Sequence, residues 1–311
     1  VKEHLTCSKN VEITFEMNPE DVNPEYLENL AKIGVNRLSL GGQSFRDSIL
    51  SKLGRCHDAS DLRRACEEIV NSPLRNWNLD LMFGIPGQNV SMFKKDLEAA
   101  ISYKPNHVSL YGLEIHKRTP FGKNVQICNW VNENQEQYEE MYLWAVSRLK
   151  AAGLIQYEVS NFSRKGNESR NNLLVWSGKE YLGFGNGAHS FYERTRKANI
   201  GSVKKYISHL KKNTLPYEFE EQLSNTQLAL EFLMLGLRCS KGVNLKGWVE
   251  RFELKWSLRQ EKYVNLLYEQ GHALKKNNNF CLTPKGMLLA DNITVQMMPS
   301  NTSHKTIKLL F

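Results

Sequence analysis

The sequence lacks the features that mark membrane-spanning or intrinsically disordered proteins. No apolar run approaches the roughly 20 residues that a membrane helix needs, and the most apolar segment, residues 228–237, is interrupted by Glu231. Low-complexity stretches and a signal-like opening are also absent. Hydrophobic residues make up 41% and charged residues 24% of the 311 positions. This composition predicts one large globular domain or two smaller ones.

Closely spaced metal ligands are missing as well. The six cysteines are spread so widely that no two lie within four residues of each other. This excludes a local zinc-binding CxxC pair and predicts buried thiols in a reducing compartment. The eight histidines include no HExxH pattern and no pair at ligand spacing. We keep His57 and His189 as candidates, because each adjoins loop or Gly-rich sequence.

Acidic residues are scarce in one segment of this basic chain, whose formal net charge is +8. Between residues 190 and 212 the single acid is Glu193, against seven lysines and arginines. The pattern favours a solvated helix face. The alternative is a site for an anion, such as a carboxylate-bearing ligand or a nucleic acid. No aromatic-interleaved RNA motif supports the nucleic acid.

Alternating strand and helix patterns fill the first 120 residues. Apolar runs predict strands over residues 11–16, 36–43, 77–85 and 106–115. Helical patterns over 24–33, 60–70 and 91–101 separate them, with Asp58 or Ser60 as the cap of the second helix. This alternation predicts right-handed βαβ units and a parallel sheet. Further on, we expect a helix over 134–152, a strand over 156–160, a loop over 161–171 and a small helical region with a β-wing from residue 225.

Polar side chains recur in or at the end of successive predicted strands. Glu16, Gln43, Asp80 and Glu114 lie about one βα unit apart, and Arg55 follows the second strand. In parallel α/β folds, ligands bind at the carboxyl ends of the strands. Carboxylates and an amide can bind ribose hydroxyls, and an arginine can hold a carboxylate, which would suit a nucleoside with an amino-acid tail. Alternatively these residues pair with one another, for example Glu16 with Arg55.

Several motifs, in order along the chain, resemble the radical S-adenosylmethionine (SAM) proteins of the HemN and HemW family. The sequences of these motifs resemble the HemW branch of heme chaperones more than the oxygen-independent coproporphyrinogen III oxidases. The motifs are ITFEMNP (13–19), NRLSLGGQSF (36–45), LGRCH (53–57), NLDLMFGIPGQ (78–88), HVSLYGLEI (107–115), TPF (119–121), QYEVSNF (156–162), YLGFGNGAHS (181–190), LMLGLRCSKGV (233–243) and LTPKGM (282–287).

The resemblance implies an α/β fold: an incomplete radical SAM (β/α)6 partial barrel and a small, mainly helical HemN-type C-terminal domain. We expect the partial barrel and its extension over 1–190, a basic linker and helix over 191–224 and the C-terminal domain over 225–311. By motif position, Glu16 and Gln43 bind the ribose side of SAM, Arg55 holds its methionine carboxylate, and Asp80 lines the same pocket.

The family's CxxxCxxC loop, which holds a [4Fe–4S] cluster, does not occur here, and neither does its GGGTP motif. The chain starts on Val1, at what corresponds to the third barrel strand, so we expect a truncated form that lacks two βα units. The cluster is expected in the full-length protein only, and without it no 5′-deoxyadenosyl radical forms. We therefore predict no catalytic residue and no metal ligand in this chain.

A second departure concerns heme. The family's HNxxYW motif, tied to heme binding, corresponds to residues 171–176, where Asn172 and Trp176 are kept but Asn171 replaces the histidine and Val175 the tyrosine. Asparagine is a poor iron ligand beside an imidazole. Either another residue ligates heme, such as His189 or a cysteine, or heme binding is weak or lost. The candidate heme residues are Asn172, Trp176 and His189.

The resemblance leaves three functional hypotheses. The first is a heme chaperone that binds heme and SAM and passes heme or a porphyrin to apo-proteins, including respiratory ones. The second is a coproporphyrinogen III oxidase-like enzyme of porphyrin biosynthesis, and the third a truncated, non-catalytic binding module. The eukaryotic relatives imply a mitochondrial location, with the cytoplasm as the alternative; we expect neither nucleic acid nor a membrane span.

Overall fold

The computed structural model describes residues 7–116 and 119–298. The chain divides into two compact units between Glu168 and Ser169. The domain boundaries expected at 190 and 224 stay predictions.

The N-terminal unit alternates strands and helices along its length. Its strands are β1 (Thr14–Met17), β2 (Arg37–Gln43), β3 (Trp77–Phe83), β4 (His107–Gly112), β5 (Ile155–Gln156) and β6 (Asn161–Ser163). Its helices are α1 (Pro24–Lys32), α2 (Asp47–Lys52), α3 (Ala59–Asn71), α4 (Val90–Ser102), α5 (Val125–Glu133) and α6 (Gln135–Ala151), with a 3₁₀ turn at Pro19–Asp21. Asp58 caps α3 in a reciprocal capping box with Asp61, as the sequence allowed.

These strands form one six-stranded sheet in the order β1-β2-β3-β4-β6-β5. The first four are parallel, which confirms the predicted βαβ units, and β6 and β5 join antiparallel. The prediction of a loop over 161–171 is wrong at its start, because β6 pairs with β4 there and the three residues of β6 are buried. Three residues with two polar side chains give too short a pattern to recognise as a strand.

The two faces of this sheet differ in chemistry. Leu38, Leu79 and Val108 belong to an apolar face that is fully buried. On this face Phe83 packs against Phe93 of α4 and Tyr138 of α6, with ring centroids 5.8 and 4.5 Å apart. Alternate residues point to the opposite face and are polar. In register across it lie Glu16, Ser39, Asn78, His107 and Ser163. This polar face carries the candidate site.

The C-terminal unit combines a three-stranded antiparallel sheet with helices. Its elements are α7 (Arg170–Trp176), β7 (His189–Tyr192), β8 (Thr195–Asn199), α8 (Val203–Lys211), β9 (Tyr217–Gln222), α9 (Asn225–Leu237), α10 (Leu245–Arg251), α11 (Leu258–Glu269), β10 (Ala273–Lys276), β11 (Asn279–Leu282), α12 (Pro284–Met287) and α13 (Ala290–Met297). The β10–β11 hairpin among α9–α13 confirms the expected helical region with its β-wing. None of the described helices is long and apolar enough to cross a membrane.

The basic segment is not one solvated helix face. The helix expected between 191 and 224 is present as α8, but strands β8 and β9 flank it. Arg196 and Lys197 of β8 form ion pairs with Glu231 and Glu220. Strand β9 could not be recognised from the sequence, because its sequence YEFEEQ is half acidic and acidic residues are depleted in strands.

Candidate functional site

The four residues predicted to line a SAM pocket sit on or beside three neighbouring parallel strands. Glu16 lies on β1, Gln43 ends β2, Asp80 is central in β3, and Arg55 follows α2 in the connection from β2 to β3. Glu114 follows β4, and its side chain is 83% exposed. Strand order therefore places the predicted positions along one region of the polar face, as expected for a parallel sheet.

Arg55 is fixed by two hydrogen bonds at the carboxyl ends of β1 and β2. Its Nη2 donates to Asn18 Oδ1 at 2.6 Å and to the carbonyl oxygen of Gly41 at 3.2 Å. No ion pair joins Arg55 to Glu16 or to another acid among the described residues, so the predicted alternative of a Glu16–Arg55 pair is not seen. Its charge is left uncompensated, and Nε and Nη1 are free of bonds to the described residues. A guanidinium held in this way is suited to an incoming carboxylate.

A glycine pair shapes the end of β2. The register against β3 shifts between Leu40 and Gln43, and Gln43 adopts a left-handed φ of 63°. Such an irregularity turns a side chain out of the strand's regular alternation. A Cβ at Gly41 would lie 3.2 Å from Gln43 Nε2 and 3.3 Å from Arg55 Nη2. The missing side chain at Gly41 thus keeps open the space between the amide and the guanidinium.

His57, one of the two histidines kept from the sequence, supports this irregular strand end. It is buried, with Nε2 3.2 Å from the carbonyl oxygen of Gly42 and Nδ1 3.3 Å from Glu20 Oε2. Gly42 itself is packed against Leu62 and Leu79, since a Cβ there would lie 2.8 Å from a methyl of each. His57 is therefore a positioning residue.

Asp80 differs from Glu16 in its surroundings. Glu16 is exposed, whereas Asp80 receives a 2.7 Å hydrogen bond from Asn78 Nδ2 and a longer one from Ser39. Burial raises the pKa of Asp80, and the nearby Glu16 carboxylate adds to this, while hydrogen bonds from Ser109 and Asn78 oppose it. Burial therefore favours the protonated form of Asp80.

A neutral hydrogen-bond chain lies beneath Asp80. The Asn78 carbonyl Oδ1 is 2.6 Å from His107 Nδ1, and His107 Nε2 is 2.8 Å from the hydroxyl of Tyr157. Burial lowers the pKa of His107 to about 3, so its ring is neutral. Nδ1–H must then donate to Asn78, and Tyr157 donates to Nε2. This chain fixes the Asn78 amide so that its Nδ2 faces Asp80.

Two of the three predicted heme residues share one helix, and the third lies on a strand. Asn172 and Trp176 lie one turn apart on α7, where Ser169 caps the helix through the Asn172 backbone. His189 begins β7 and is exposed, and none of its described contacts is to Asn172 or Trp176. The Gly-rich run before it forms a tight turn, because a Cβ at Gly183 would lie only 2.1 Å from the His189 carbonyl oxygen. The assignment of these three residues to heme stays a prediction.

Three features of the SAM candidate site escaped sequence reasoning. They are the Asn18 acceptor for Arg55, the space above Gly41 and the support from His57. The GlyGly pair inside a strand pattern was the available signal, since it is typical of a bulge or a close backbone approach. Within the described residues, no group of three or more His, Cys, Asp and Glu side chains could hold a metal ion.

Comparison with known proteins identifies the family. A model of the radical SAM superfamily matches residues 1–100, and one of the HemN C-terminal domain matches residues 223–289. The heme chaperone HemW of Bacillus subtilis is 36% identical over 282 residues, which cover 91% of this chain and 74% of that protein. A bovine relative, radical S-adenosyl methionine domain-containing protein 1, mitochondrial, is 32% identical over 305 residues, covering 92% of this chain and 67% of that protein.

Among solved structures, Escherichia coli coproporphyrinogen III oxidase HemN superposes with a TM-score of 0.76, covering 95% of this chain and 71% of that one. At 18% identity this likeness shows the fold alone, and it confirms the partial-barrel architecture with a HemN-type C-terminal region. The identity to HemW proteins over most of the chain establishes more. The chain belongs to the HemW family of radical SAM proteins.

Proposed function

We propose that this protein is a heme chaperone that binds heme and SAM and delivers the heme to apo-proteins. The similarity to the B. subtilis protein named heme chaperone, 36% identical over 91% of this chain, carries the proposal. The likeness to HemN supports only the fold, so it adds nothing in favour of a coproporphyrinogen III oxidase activity.

The polar strand ends of the N-terminal unit are the proposed SAM site. Arg55 would receive the methionine carboxylate, because its guanidinium is held on one side by Asn18 and has no acidic partner among the described residues. The carboxylate of Glu16 would accept hydrogen bonds from the ribose hydroxyls, and the amide of Gln43 can both accept and donate them. Asp80 would line the same pocket. The open space at Gly41 supports this assignment, since a side chain there would crowd both Gln43 and Arg55.

An iron–sulfur cluster does not fit the residues present. The sequence carries no CxxxCxxC motif, and the described residues offer no group of metal-binding side chains. These residues therefore provide no site for a cluster. The proposed heme delivery requires none from this chain, because binding and release of heme are association equilibria.

Transfer of heme from the loaded protein tests the proposal. The 311-residue chain is titrated with hemin, and a Soret shift that saturates at one equivalent is expected. The complex is then mixed with apomyoglobin, and the appearance of holomyoglobin is compared with that from hemin-loaded albumin. Faster transfer than from albumin is expected. No saturable Soret shift, or transfer no faster than from albumin, contradicts a chaperone role.

We also propose a mitochondrial location, with the cytoplasm as the alternative, and heme acceptors among respiratory apo-proteins. The bovine relative, whose name includes "mitochondrial", supports the location. Fractionation of source cells, followed by immunodetection of the native protein, distinguishes the two compartments.

A further inference from the structure

A cavity of about 540 Å³ lies within the C-terminal unit. None of its lining residues is one predicted to bind heme or SAM, although the lining residue Val175 adjoins Trp176 on α7. Its lining comes from the end of α7 and the segment that follows it, from the β7–β8 hairpin, from α9 and from the end of α10. Its volume falls in the range of about 300–1,000 Å³ typical of small-molecule sites. Of the motifs noted in the sequence, those at residues 171–176 and 181–190 contribute Val175 and Tyr181 to its lining.

The cavity combines aromatic walls with positive charge. Phe191, Phe232 and Phe252 contribute rings, and leucines of α9 extend the apolar surface. Four cations line it against two carboxylates, the latter belonging to Glu180 and Glu231. An apolar interior with cations therefore suits a ligand with a flat hydrophobic body and anionic arms.

One of the cations is neutralised within the protein. Arg196 forms a bidentate pair with Glu231, with Nη1 to Oε1 at 2.5 Å and Nη2 to Oε2 at 2.9 Å. Glu231 is 7% exposed, so this carboxylate depends on Arg196. The pair holds β8 against α9 and leaves no net charge for a ligand.

Arg251 is different, because it lies against aromatic rings. Its guanidinium carbon is 5.0 Å from the ring centroids of both Phe232 and Phe252. Within residues 7–116 and 119–298 it has no carboxylate partner. Stacking orients the guanidinium plane and leaves its edge N–H groups available to an anion.

Arg194 reaches the cavity from a strained turn. Glu193 and Arg194, the two residues between β7 and β8, have φ of 48° and 63°. A two-residue hairpin of this kind favours Asn-Gly, because both positions are left-handed. The turn is nevertheless held by hydrogen bonds from the Glu193 N–H to Glu180 and from the Leu223 N–H to the Arg194 carbonyl. Among the described residues Arg194 has no ion pair. A residue with an unfavourable backbone conformation therefore places an unpaired guanidinium at the cavity.

Histidine, cysteine and methionine are not among the described residues that line this cavity, and among the usual ligands of heme iron only Tyr181 lines it. A ligand held here would be recognised mainly through its apolar body and its carboxylates.

We propose that this cavity binds the propionate-bearing side of a porphyrin through Arg194 and Arg251, independently of iron. The choice of a porphyrin rests on the proposed heme chaperone function; the choice of residues rests on the cavity. The anion site that the basic segment allowed is thereby placed at Arg194, with a second arginine supplied from 57 residues further along the chain.

Binding of three matched porphyrins to the full chain tests this assignment. Hemin, metal-free protoporphyrin IX and its dimethyl ester are titrated into wild type, Arg194→Asn, Arg251→Gln and the control Arg259→Gln, an arginine outside the cavity. Protoporphyrin and hemin should bind wild type with similar affinity and the ester more weakly. Each cavity variant should weaken the two diacids by about three- to tenfold, a range suited to partly exposed charged hydrogen bonds, and leave the ester unchanged.

The outcomes separate this inference from the function on which it rests. If hemin binds wild type and both cavity variants equally, the heme function stands and the cavity assignment is overturned. If both diacids bind in an arginine-dependent way but bound hemin passes to apomyoglobin no faster than from albumin, the cavity assignment stands and the chaperone function falls. Loss of affinity in Arg259→Gln, or an ester that binds as tightly as the diacid, also overturns the role of the two arginines.

Discussion

The two proposed binding regions of this molecule hold their arginines in contrasting ways. At the strand ends, Arg55 is held by the side chain of Asn18 and the carbonyl oxygen of Gly41, so strand geometry determines where its charge lies. In the C-terminal cavity, Arg251 is held by aromatic rings, and Arg194 by a hairpin turn. The first site depends on backbone position in a parallel sheet, and the second on packing between segments distant in sequence.

The contrast also separates structural from available charge. Arg196 lines the same cavity as Arg194, yet its ion pair with Glu231 makes it part of the fold. Substituting an ion-paired arginine and substituting an arginine without an acidic partner should therefore affect different properties. Loss of Arg196 should affect stability, whereas loss of Arg55, Arg194 or Arg251 should affect ligand binding.

The largest expected effect is on the Arg196–Glu231 pair. Arg196→Gln should lower the free energy of unfolding by about 3 kcal/mol, because it leaves the buried Glu231 carboxylate without a partner. Glu231→Gln should cost less, since the Arg196 side chain is 28% exposed and can be hydrated. Urea unfolding followed by circular dichroism measures both. An Arg196→Gln protein as stable as wild type would contradict the structural role of the pair.

The double variant Arg196→Met with Glu231→Leu sharpens this prediction. Replacing both charges by apolar side chains removes the desolvation cost together with the attraction, so its stability should return close to wild type. A double variant no more stable than Arg196→Gln would show that the loss comes from packing and not from an uncompensated charge.

The next largest effect concerns the strand-end site. Arg55→Ala should weaken SAM binding by about 1.5–3 kcal/mol, the contribution of a charged hydrogen bond, with the fold unchanged. Arg75→Ala is the matched control, because this exposed arginine precedes β3 at the other end of the sheet and donates to Val70. Isothermal titration calorimetry with SAM measures both. Equal affinities for Arg55→Ala and wild type would remove the carboxylate assignment.

A third prediction compares binding of hemin, which contains iron, with binding of metal-free protoporphyrin. Asn171 lies one turn before Val175, a residue that lines the C-terminal cavity. Asn171→His would supply an imidazole there, so hemin binding should strengthen while protoporphyrin binding stays unchanged. Soret titrations of both porphyrins measure the difference. An unaltered Soret band and hemin affinity would place the iron ligand elsewhere.

The positions that share the strand-end edge could be predicted from the sequence, because strand periodicity and parallel order determine them; their role in binding SAM stays a prediction. Glu16, Gln43 and Asp80 could be grouped from spacing alone. The Asn18 and Gly41 contacts could not, because they depend on a local irregularity of β2 whose direction no pattern specifies. The cavity could not be predicted, because it joins residues as distant along the chain as Arg194 and Arg251.

A smaller effect concerns the pH dependence of stability at the strand ends. Burial raises the pKa of Asp80 above its ordinary value of 3.8, so the folded state keeps this proton at a pH where the unfolded state has lost it. Wild-type stability should therefore fall as pH rises through that window. Asp80→Asn removes the fall, so its stability relative to wild type should grow from acid to neutral pH. Urea unfolding between pH 3 and 7 measures this.

Asp58 provides a control of opposite sign. The backbone N–H of Asp61 donates to its carboxylate and lowers the pKa of Asp58. Its contribution to stability is present above the unfolded pKa and lost as pH falls, so Asp58→Asn should lose stability relative to wild type from acid to neutral pH. The same pH slope in both variants would contradict the buried environment of Asp80.

The smallest expected effect is on the stability of the hairpin that carries Arg194. Asn tolerates a left-handed φ better than Arg, so Arg194→Asn should raise the free energy of unfolding by up to about 1 kcal/mol. In Arg251→Gln, which has no such strain, stability should be unchanged, although both substitutions weaken protoporphyrin binding. Thermal unfolding and porphyrin titration on the same samples measure the two effects together. If Arg194→Asn gains stability and loses porphyrin affinity, the strained turn serves to place the guanidinium of Arg194 in the cavity. If Arg194→Asn loses both stability and affinity, Arg194 supports the fold, as Arg196 does.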